Sequence, residues 1–513
     1  MKLAQISTHR RRWIVAGATL CLGFILWLGS SVSIPAAQDN RPNVLLIILE
    51  DWGPFLHCYG EKAMFTPNLD QLAAEGRRYN YCFTSAPVCS AGRSSLMTGM
   101  SQYTTRTQQH RTPEPKPKLP AGVKSVPDLF RDAGYFTALG CGYSPKIDLN
   151  FEFTQSESYQ GKDWNKRPPG QPFFAHLTLI GTHRTWHADP SHPIDPAQIT
   201  LPPWYPDTPL TRKDWALALE SAQRSDQLMG EIITRLKKEG LYENTAIIVT
   251  ADHGVPLPRA KQFLYDDGLR IPLIIRWPAR AKPGTVTDEL VSNVDIVPTL
   301  LAIAGIPVPK LVQGHDVLDA ATQPRKYIFA GRDKMDSTHD AMRAVRSKDF
   351  KYILNLMPER PYCQFNDYKE RSYPGLAVMN VLHLEGKLPP EQDAFMQPTK
   401  PPEELYDLRR DPHELHNLAN DPASASVLKE MRAELEQWRQ TVGDPGINDE
   451  FRKGGWPAKY PTRSLTDWKQ IVQQWENHLL QGGPAPTIVA PAEFGVGEGM
   501  VKPERKKNRK RAE

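Results

Sequence analysis

The chain has 513 residues, of which 40% are hydrophobic, so it is long enough to bury a large core and to divide into more than one domain. Its formal net charge of +5 is concentrated at the ends: residues 502–513 carry seven basic and two acidic residues, and residues 1–37 add four basic ones. Subtracting both leaves about −4 for the body of the chain, which has no basic stripe interleaved with aromatic residues, and this argues against nucleic-acid binding.

The N-terminal stretch has the pattern of an export signal. Three arginines at 10–12 precede an apolar run from Trp13 to Leu28, and small residues suited to cleavage follow at 31–33 and 35–37. We therefore expect residues 1–37 to be a signal peptide and the mature protein to be periplasmic or extracellular. The alternative is an uncleaved membrane anchor, because the apolar run is near the lower length limit for crossing a bilayer.

Strands alternate with helices through residues 42–325. The apolar run Asn43–Leu49 has the composition of a parallel strand that is buried on both faces. Thr66 and Pro67 predict the start of a helix that Gly76 ends, with Thr66 as its N-cap. Further strands are predicted at Phe136–Leu139, Phe173–Leu179, Ala246–Val249 and Pro272–Ile275, and a long helix at Lys213–Glu239. This alternation predicts an α/β domain with a large, mainly parallel sheet sandwiched by helices.

The pattern changes after residue 325. Residues 343–356 predict two antiparallel strands, and residues 404–419 predict a strand, a turn at Asp411-Pro412 and the start of a helix. Val427–Val442 is predicted to be helical because its apolar residues recur at helical spacing. We expect a smaller α+β domain at 326–480 and a disordered basic tail at 481–513.

One of the six cysteines stands out by its context. Cys21 lies in the export signal, and the other five have no spacing typical of a disulfide framework or a zinc site. Cys89 begins the segment CSAGRSSLMTG, whose small residues allow a tight turn into a helix. A nucleophile at a helix N-terminus lies at the positive end of the dipole, which favours an anionic substrate. Arg93 lies one turn further on the same face, whereas a tyrosine-phosphatase loop would need arginine at position 95, which is Ser95.

Charged side chains follow several of the predicted strands. They are Glu50 and Asp51, Lys146 and Asp148, His183, and Asp252 and His253. In an open parallel sheet the ligand site lies beyond the carboxyl ends of the strands, so we expect these groups to meet at one edge. Three carboxylates there would repel one another unless a cation is bound, and calcium or magnesium suits oxygen ligands better than zinc does. His253 is expected to bind the metal or to contact the substrate.

These motifs together resemble the sulfatase family, which is alkaline-phosphatase-like in fold. Cys89 to Arg93, followed by Thr98-Gly99, resembles the signature C-x-P-x-R with its later T-G, although Ala91 replaces the proline. The strand that ends in two acids, the T-x-D-H-G at 250–254 and Lys261 match in order, and the resemblance covers about residues 42–445. Residues 172–184, 252–265 and 342–361 are most similar to the heparan N-sulfatase (N-sulfoglucosamine sulfohydrolase) branch.

The resemblance implies a role for each residue of the site. Cys89 would be oxidised before export by a formylglycine-generating enzyme, and the hydrated formylglycine would attack sulfur. Arg93 would steady that group, and Lys146, His183 and Lys261 would hold sulfate oxygens or protonate the leaving group. Asp148 stands where the family often has histidine, in the substrate pocket. Calcium would be bound by Glu50, Asp51, Cys89 in its modified form, Asp252 and His253.

The resemblance implies hydrolysis of sulfate from a sulfated saccharide, with N-sulfoglucosamine of heparan-type glycans as the leading substrate. Three alternatives stay open. The first is an O-sulfatase that acts on another polysaccharide, since one fold serves many substrates. The second is a related phosphoester or phosphonate hydrolase. The third is a non-catalytic protein that binds sulfated glycans, in which Cys89 is never converted. The sequence also leaves the oligomeric state open.

Overall fold

The computed structural model describes residues 40–448, 451 and 462–489. The predicted signal peptide and residues 490–513 of the basic tail lie outside the described residues. Among the described residues, no helix is both long and apolar enough to cross a membrane.

The larger sheet has seven strands: β1 (Asn43–Leu49), β2 (Arg77–Phe83), β3 (Phe136–Leu139), β4 (Phe173–Leu179), β5 (Thr245–Ala251), β6 (Arg270–Arg276) and β7 (Thr285–Ser292). Their order across the sheet is β3-β4-β1-β5-β6-β2-β7. β1 lies between β4 and β5 and is parallel to both, and all of its residues are buried. Only β6 runs against its neighbours, so the expected mainly parallel α/β sheet is confirmed.

α-Helices lie throughout the described part of the chain. They are α1 (Pro67–Glu75), α2 (Cys89–Thr98), α3 (Val126–Asp132), α4 (Gln155–Ser158), α5 (Pro209–Lys238), α6 (Asp266–Leu269), α7 (Ile296–Ile303), α8 (Asp367–Ser372), α9 (Pro374–Leu384), α10 (Pro390–Asp393), α11 (Ala425–Val442) and α12 (Leu465–Gln481). α5 packs against α1 and also contacts α9 and α12, whereas α2 packs against α7. The long helix expected at 213–239 is therefore α5.

The smaller sheet is antiparallel. Its strands are β8 (Ile328–Arg332), β9 (Met342–Arg346), β10 (Phe350–Asn355) and β11 (Glu403–Asp407), in the order β11-β10-β9-β8. α11 covers this sheet with buried Leu428, Met431 and Leu435, and Trp438 stacks on Phe329 with ring centroids 5.1 Å apart. This is the expected α+β part, and the predicted boundary at 325/326 falls between β7 and β8.

Two local predictions are wrong. Thr66 does not cap α1; instead, the Asp226 carboxylate on α5 accepts hydrogen bonds from the backbone N–H groups of Asn68 and Leu69. No helix starts in residues 413–419, because the Asp411 carboxylate accepts from the N–H groups of Leu415 and His416 and holds the chain in a loop. In both places an aspartate carboxylate takes the backbone donors, from the distant α5 in the first case and from four to five residues earlier in the second.

The expected start of the disordered tail also differs from the structure. Residues 482–489 run along α12, where the N–H of Thr487 donates to Gln474 and Ile488 is buried. Arg463 donates to the carbonyl of Val489. The ordered chain thus continues at least to residue 489.

Candidate active site

Helix α2 places Cys89 at its N-terminus, and all ten of its residues are buried. The helix approaches the end of β5 so closely that a Cβ on Gly92 would lie 2.8 Å from the backbone oxygen of Asp252 and 3.0 Å from that of Ala86. Any side chain at this position would push the helix away from β5. The close approach brings Arg93, the next residue, into direct contact with Asp252.

Carboxylates from the ends of β1 and β5 surround the Cys89 thiol. The sulfur lies 3.3 Å from Nε2 of His253 and 3.4 Å from Oδ1 of Asp51. Asp51 has a positive φ of 53°, and its backbone N–H donates to Oδ1 of Asp252 at 2.9 Å. A left-handed conformation in a residue other than glycine is costly, and such strain is concentrated at functional sites.

Three cationic side chains neutralise these acids. Arg93 is fully buried; its Nε donates to Oδ2 of Asp252 at 3.1 Å, and its Nη2 donates to Glu50. The ammonium of Lys146 binds the other oxygen of Glu50. Lys261 donates to Asp51, and its Nζ lies 3.6 Å from the Cys89 sulfur. Each acid is thus paired with at least one cation, and Lys261 also reaches the thiol.

The electrostatic environment keeps the acids ionised and the thiol neutral. Burial alone would raise the pKa of Asp51, but the charges of Lys261 and His253 hold that pKa well below its ordinary value. His253 and Arg93 likewise lower the pKa of Asp252 despite its burial. Burial and the charge of Asp51 raise the pKa of Cys89 well above that of a free thiol. An unmodified Cys89 is therefore a poor nucleophile, since the thiolate is the reactive form.

The donor set fits a divalent cation. Ligand atoms of Asp51, Cys89, Asp252 and His253 all lie within 4.8 Å of one another, and all four residues are buried. Carboxylate oxygens suit calcium or magnesium, while the imidazole nitrogen widens the choice toward transition metals. Glu50 lies outside this group, and Arg93 and Lys146 contact its two oxygens, so its predicted role as a ligand stays a prediction.

The remaining predicted site residues lie at the same sheet edge. Nε2 of His183 is 3.6 Å from Oδ2 of Asp51, and the His183 side chain is 29% exposed. Asp148 lies 3.8 Å from the ammonium of Lys146. The structure thus brings together all ten residues that the sequence proposed: Glu50, Asp51, Cys89, Arg93, Lys146, Asp148, His183, Asp252, His253 and Lys261.

Three residues at the site were missed. His110 and Asp148 form a second group of potential ligands with Cys89, again within 4.8 Å of one another. Arg111 pairs with Asp148. Tyr368, from α8, places its ring 5.3 Å from the Lys261 ammonium and 6.1 Å from the His183 ring, and its buried hydroxyl makes no hydrogen bond within the described residues. None of the three follows a strand, so the strand-end pattern gave no signal for them.

Comparison with known proteins agrees with this arrangement. A family model described as Sulfatase matches residues 42–306, and one described as N-sulphoglucosamine sulphohydrolase, C-terminal, matches residues 259–363. The chain is 33% identical over 456 residues to an ulvan-active sulfatase of Formosa agariphila, a match covering 79% of this chain and 76% of that protein. It is 26% identical over 489 residues to the human N-sulphoglucosamine sulphohydrolase, covering 83% of this chain and 94% of that one.

Solved structures share the fold. One is BT4656 in complex with its substrate D-glucosamine-2-N,6-O-disulfate, with a TM-score of 0.59, 19% identity and coverage of 80% of this chain and 100% of that one. Another is a phosphonate monoester hydrolase from Silicibacter pomeroyi, with a TM-score of 0.58, 20% identity and coverage of 80% and 97%. Because these identities are low, the likeness extends to the architecture alone.

Proposed function

The chain belongs to the sulfatase family, as its motifs predicted, and from that premise we propose that it hydrolyses sulfate from a sulfated saccharide, with formylglycine at residue 89 and a bound calcium ion. That it is a sulfuric ester hydrolase follows from the family itself. The observation that carries the proposal is the position of Cys89 at the N-terminus of α2, within 3.6 Å of Lys261 and in contact with Asp51 and His253.

The residues around position 89 suit attack on an anion. Formylglycine there would supply a hydrated aldehyde as nucleophile, and a divalent cation would polarise the sulfate oxygens. Lys146 and Lys261 place positive charge on two different carboxylates of the cluster, Glu50 and Asp51, from where they would stabilise negative charge on sulfate oxygens. His183 is the most exposed of the predicted site residues close to Asp51, which suits proton transfer to a leaving group that reaches the pocket from solvent.

The leading substrate that we propose is N-sulfoglucosamine of heparan-type glycans. It is supported by the match of residues 259–363 to the C-terminal model of the N-sulphoglucosamine sulphohydrolases and by the similarity to the human enzyme. A second candidate is another sulfated polysaccharide such as ulvan, which the higher identity to the ulvan-active relative favours. Both candidates use the same site, since specificity resides in the surrounding loops.

Maturation and location are part of the proposal. The pattern of residues 1–37 supports export to the periplasm or beyond, or anchoring by an uncleaved segment. Conversion of Cys89 by a formylglycine-generating enzyme would precede export. If conversion fails, the same pocket is expected to bind sulfated glycans without turnover.

The test is to co-express the chain with a formylglycine-generating enzyme and to analyse the tryptic peptide that ends at Arg93 by mass spectrometry. Sulfate release is then measured from N-sulfoglucosamine, O-sulfated glucosamines and ulvan oligosaccharides. We expect an aldehyde at residue 89 and turnover of at least one substrate. Cys89→Ala and Arg93→Ala should each lower kcat/KM by roughly 1,000-fold or more, because they remove the nucleophile and a charge-stabilising group.

Cys58→Ala is the matched control, because Cys58 is a free cysteine outside the site and its loss should leave turnover unchanged. A thiol that stays unmodified in active protein, or wild-type turnover by Cys89→Ala, would contradict the proposal. Turnover of phosphonate monoesters in preference to every sulfated saccharide would favour the phosphonate hydrolase reading instead.

A further inference from the structure

An ion pair that the mechanism above does not use lies beside the nucleophile. Arg111 donates from Nη2 to Oδ2 of Asp148 at 2.8 Å, and its Nε lies 3.3 Å from both carboxylate oxygens. A carboxylate oxygen of Asp148 is within 4.8 Å of the Cys89 sulfur. Arg111 is therefore separated from the reacting position by a single carboxylate.

The pair is held in place by its two loops. The backbone N–H of Arg111 donates to Oγ of Ser90 at 3.0 Å, which ties it to the first turn of α2. Asn150 joins the loops, because its side chain accepts from the N–H of Thr112 and donates to the carbonyl of Gln109. Arg111 and Asp148 both have positive φ angles, of 52° and 49°. Such backbone strain persists only where the surrounding structure fixes it, and it is concentrated at ligand sites.

The charges of the pair matter for an anionic substrate. Burial opposes ionisation of Asp148, but the hydrogen bonds and charge of Arg111 lower its pKa to about 2, so the carboxylate is negative at neutral pH. Arg111 offsets this negative charge, and its side chain is still 55% exposed. Within the described residues its Nη1 makes no hydrogen bond, so this half-exposed guanidinium has donors left for a ligand.

We propose that Arg111 is a specificity-determining residue that binds a second anionic group on the sulfated sugar, while Asp148 holds its guanidinium in position. This rests on the proposed function. The planar guanidinium suits bidentate binding of a carboxylate or a sulfate. The positive charges near residue 89 already come from Arg93, Lys146 and Lys261, which leaves Arg111 for a second anion. The second group is a sulfate elsewhere on the same ring or the carboxylate of a neighbouring uronic acid.

A simpler role for Arg111 would be to neutralise Asp148 and nothing more. The two roles differ in what happens when Asp148 loses its charge. If Arg111 only neutralises, the double variant Arg111→Gln/Asp148→Asn regains the ligand preference of the parent. If Arg111 binds the second anion, the preference is lost in Arg111→Gln and stays lost in the double variant.

The experiment measures binding, so that it does not depend on turnover. Calorimetry on a Cys89→Ser parent gives Kd for three ligands: glucosamine N-sulfate, glucosamine 2-N,6-O-disulfate and a disaccharide of N-sulfoglucosamine with uronic acid. We expect the parent to bind at least one of the two more highly charged ligands roughly 10- to 100-fold more tightly than glucosamine N-sulfate. The ratio of the Kd for glucosamine N-sulfate to the Kd for the more highly charged ligand should fall to about one in Arg111→Gln and in the double variant. The ligand that shows the preference identifies the second group as sulfate or carboxylate.

Arg212→Gln is the matched control, since Arg212 forms a similar bidentate pair with Asp207 at a distant surface position. It should keep the parent's ratio. Absence of binding or of any preference in the parent, a ratio that survives Arg111→Gln, or a ratio restored by adding Asp148→Asn would each overturn the proposal. Turnover of glucosamine N-sulfate by the wild-type enzyme, measured separately, decides the proposed function independently of this ratio.

Discussion

Glu50, Asp51 and Asp252 carry three negative charges, and Arg93, Lys146 and Lys261 carry three positive ones that contact them directly. The cluster therefore balances its own charge. A divalent cation bound where the ligand atoms of Asp51, Asp252 and His253 converge would add two positive charges, and the site would then attract an anion. In the proposed function the acids would provide the metal position, and the basic residues would balance their charge in the absence of metal.

Removal of metal should be measurable in stability as well as in activity. We expect EGTA to lower the thermal midpoint, because a ligand present at 100 times its Kd stabilises the folded state by about 2.7 kcal/mol. Calcium should restore the midpoint, as followed by calorimetry with parallel measurement of bound metal. Asp252→Asn should abolish the shift, whereas Asp207→Asn at the surface should preserve it. Full activity and an unchanged midpoint in metal-free protein would contradict the calcium role, and stronger restoration by zinc would assign a different metal.

Some site residues could be predicted from the sequence and others could not, and the two groups differ in which structural feature determines their positions. Glu50, Asp51, Asp252 and His253 directly follow strands, so their meeting follows from the rule that parallel strands end at one edge. His110 and Arg111 lie in the loop segment between α2 and α3, and Arg111 meets Asp148 across 37 positions of sequence. That meeting depends on the path of two loops and on the Asn150 side chain that joins them, which no local pattern encodes.

At the scale of elements, the sequence of α2 must meet two structural requirements. Its first turn must present residue 89 to the acids, and its middle must pass within contact distance of β5. Gly92 meets the second requirement because its missing side chain leaves room for backbone oxygens of Asp252 and Ala86. The small residues that sequence reasoning connected with a tight turn are therefore also required for helix packing.

Gly92→Ala tests this packing. A Cβ that lies 2.8 Å from a backbone oxygen forces the helix away from β5, and overpacking of this kind costs about 1–3 kcal/mol of unfolding free energy. Urea denaturation of the variant should show that loss. Gly181→Ala is the control, because its nearest contact, also at 2.8 Å, is the rotatable hydroxyl of Ser225. Equal unfolding free energies for the two variants would show that the close contact between residue 92 and the backbone oxygen of Asp252 does not destabilise the fold.

Some strands could be predicted from the sequence and others could not. β1, β4 and β5 were found because they are buried on both faces and are continuously apolar. β2 was missed because its polar residues are half-buried, and β7 because only its last three residues are buried at the sheet edge. The antiparallel direction of β6 was also not predicted, since an apolar run has the same composition in either direction.

At the scale of the whole molecule, the smaller sheet supports the loop between β5 and α6, which carries Lys261. Lys351 on β10 is fully buried and pairs with Asp266 at 2.5 Å and with Glu414 at 2.7 Å. Asp266 opens α6 five residues after Lys261, and Arg346 on β9 also donates to it at 3.0 Å. The same loop is held from its other end, because Arg259 donates to the backbone carbonyl of Glu414. The position of Lys261 at the active site therefore depends on contacts with the C-terminal part of the chain.

Lys351→Met tests this dependence. Breaking a buried ion pair by removing one partner leaves an uncompensated charge and costs about 3–5 kcal/mol, and the lower end applies here because Arg346 still pairs with Asp266. We expect a loss of about 3 kcal/mol in unfolding free energy by urea denaturation. The folded fraction should also show a raised KM, because Lys261 loses its support. Lys348→Met, at an exposed position of the same hairpin, should change stability by about 0.5 kcal/mol or less. A Lys351→Met enzyme with wild-type stability and KM would show that the loop between β5 and α6 holds its shape without these contacts to the smaller sheet.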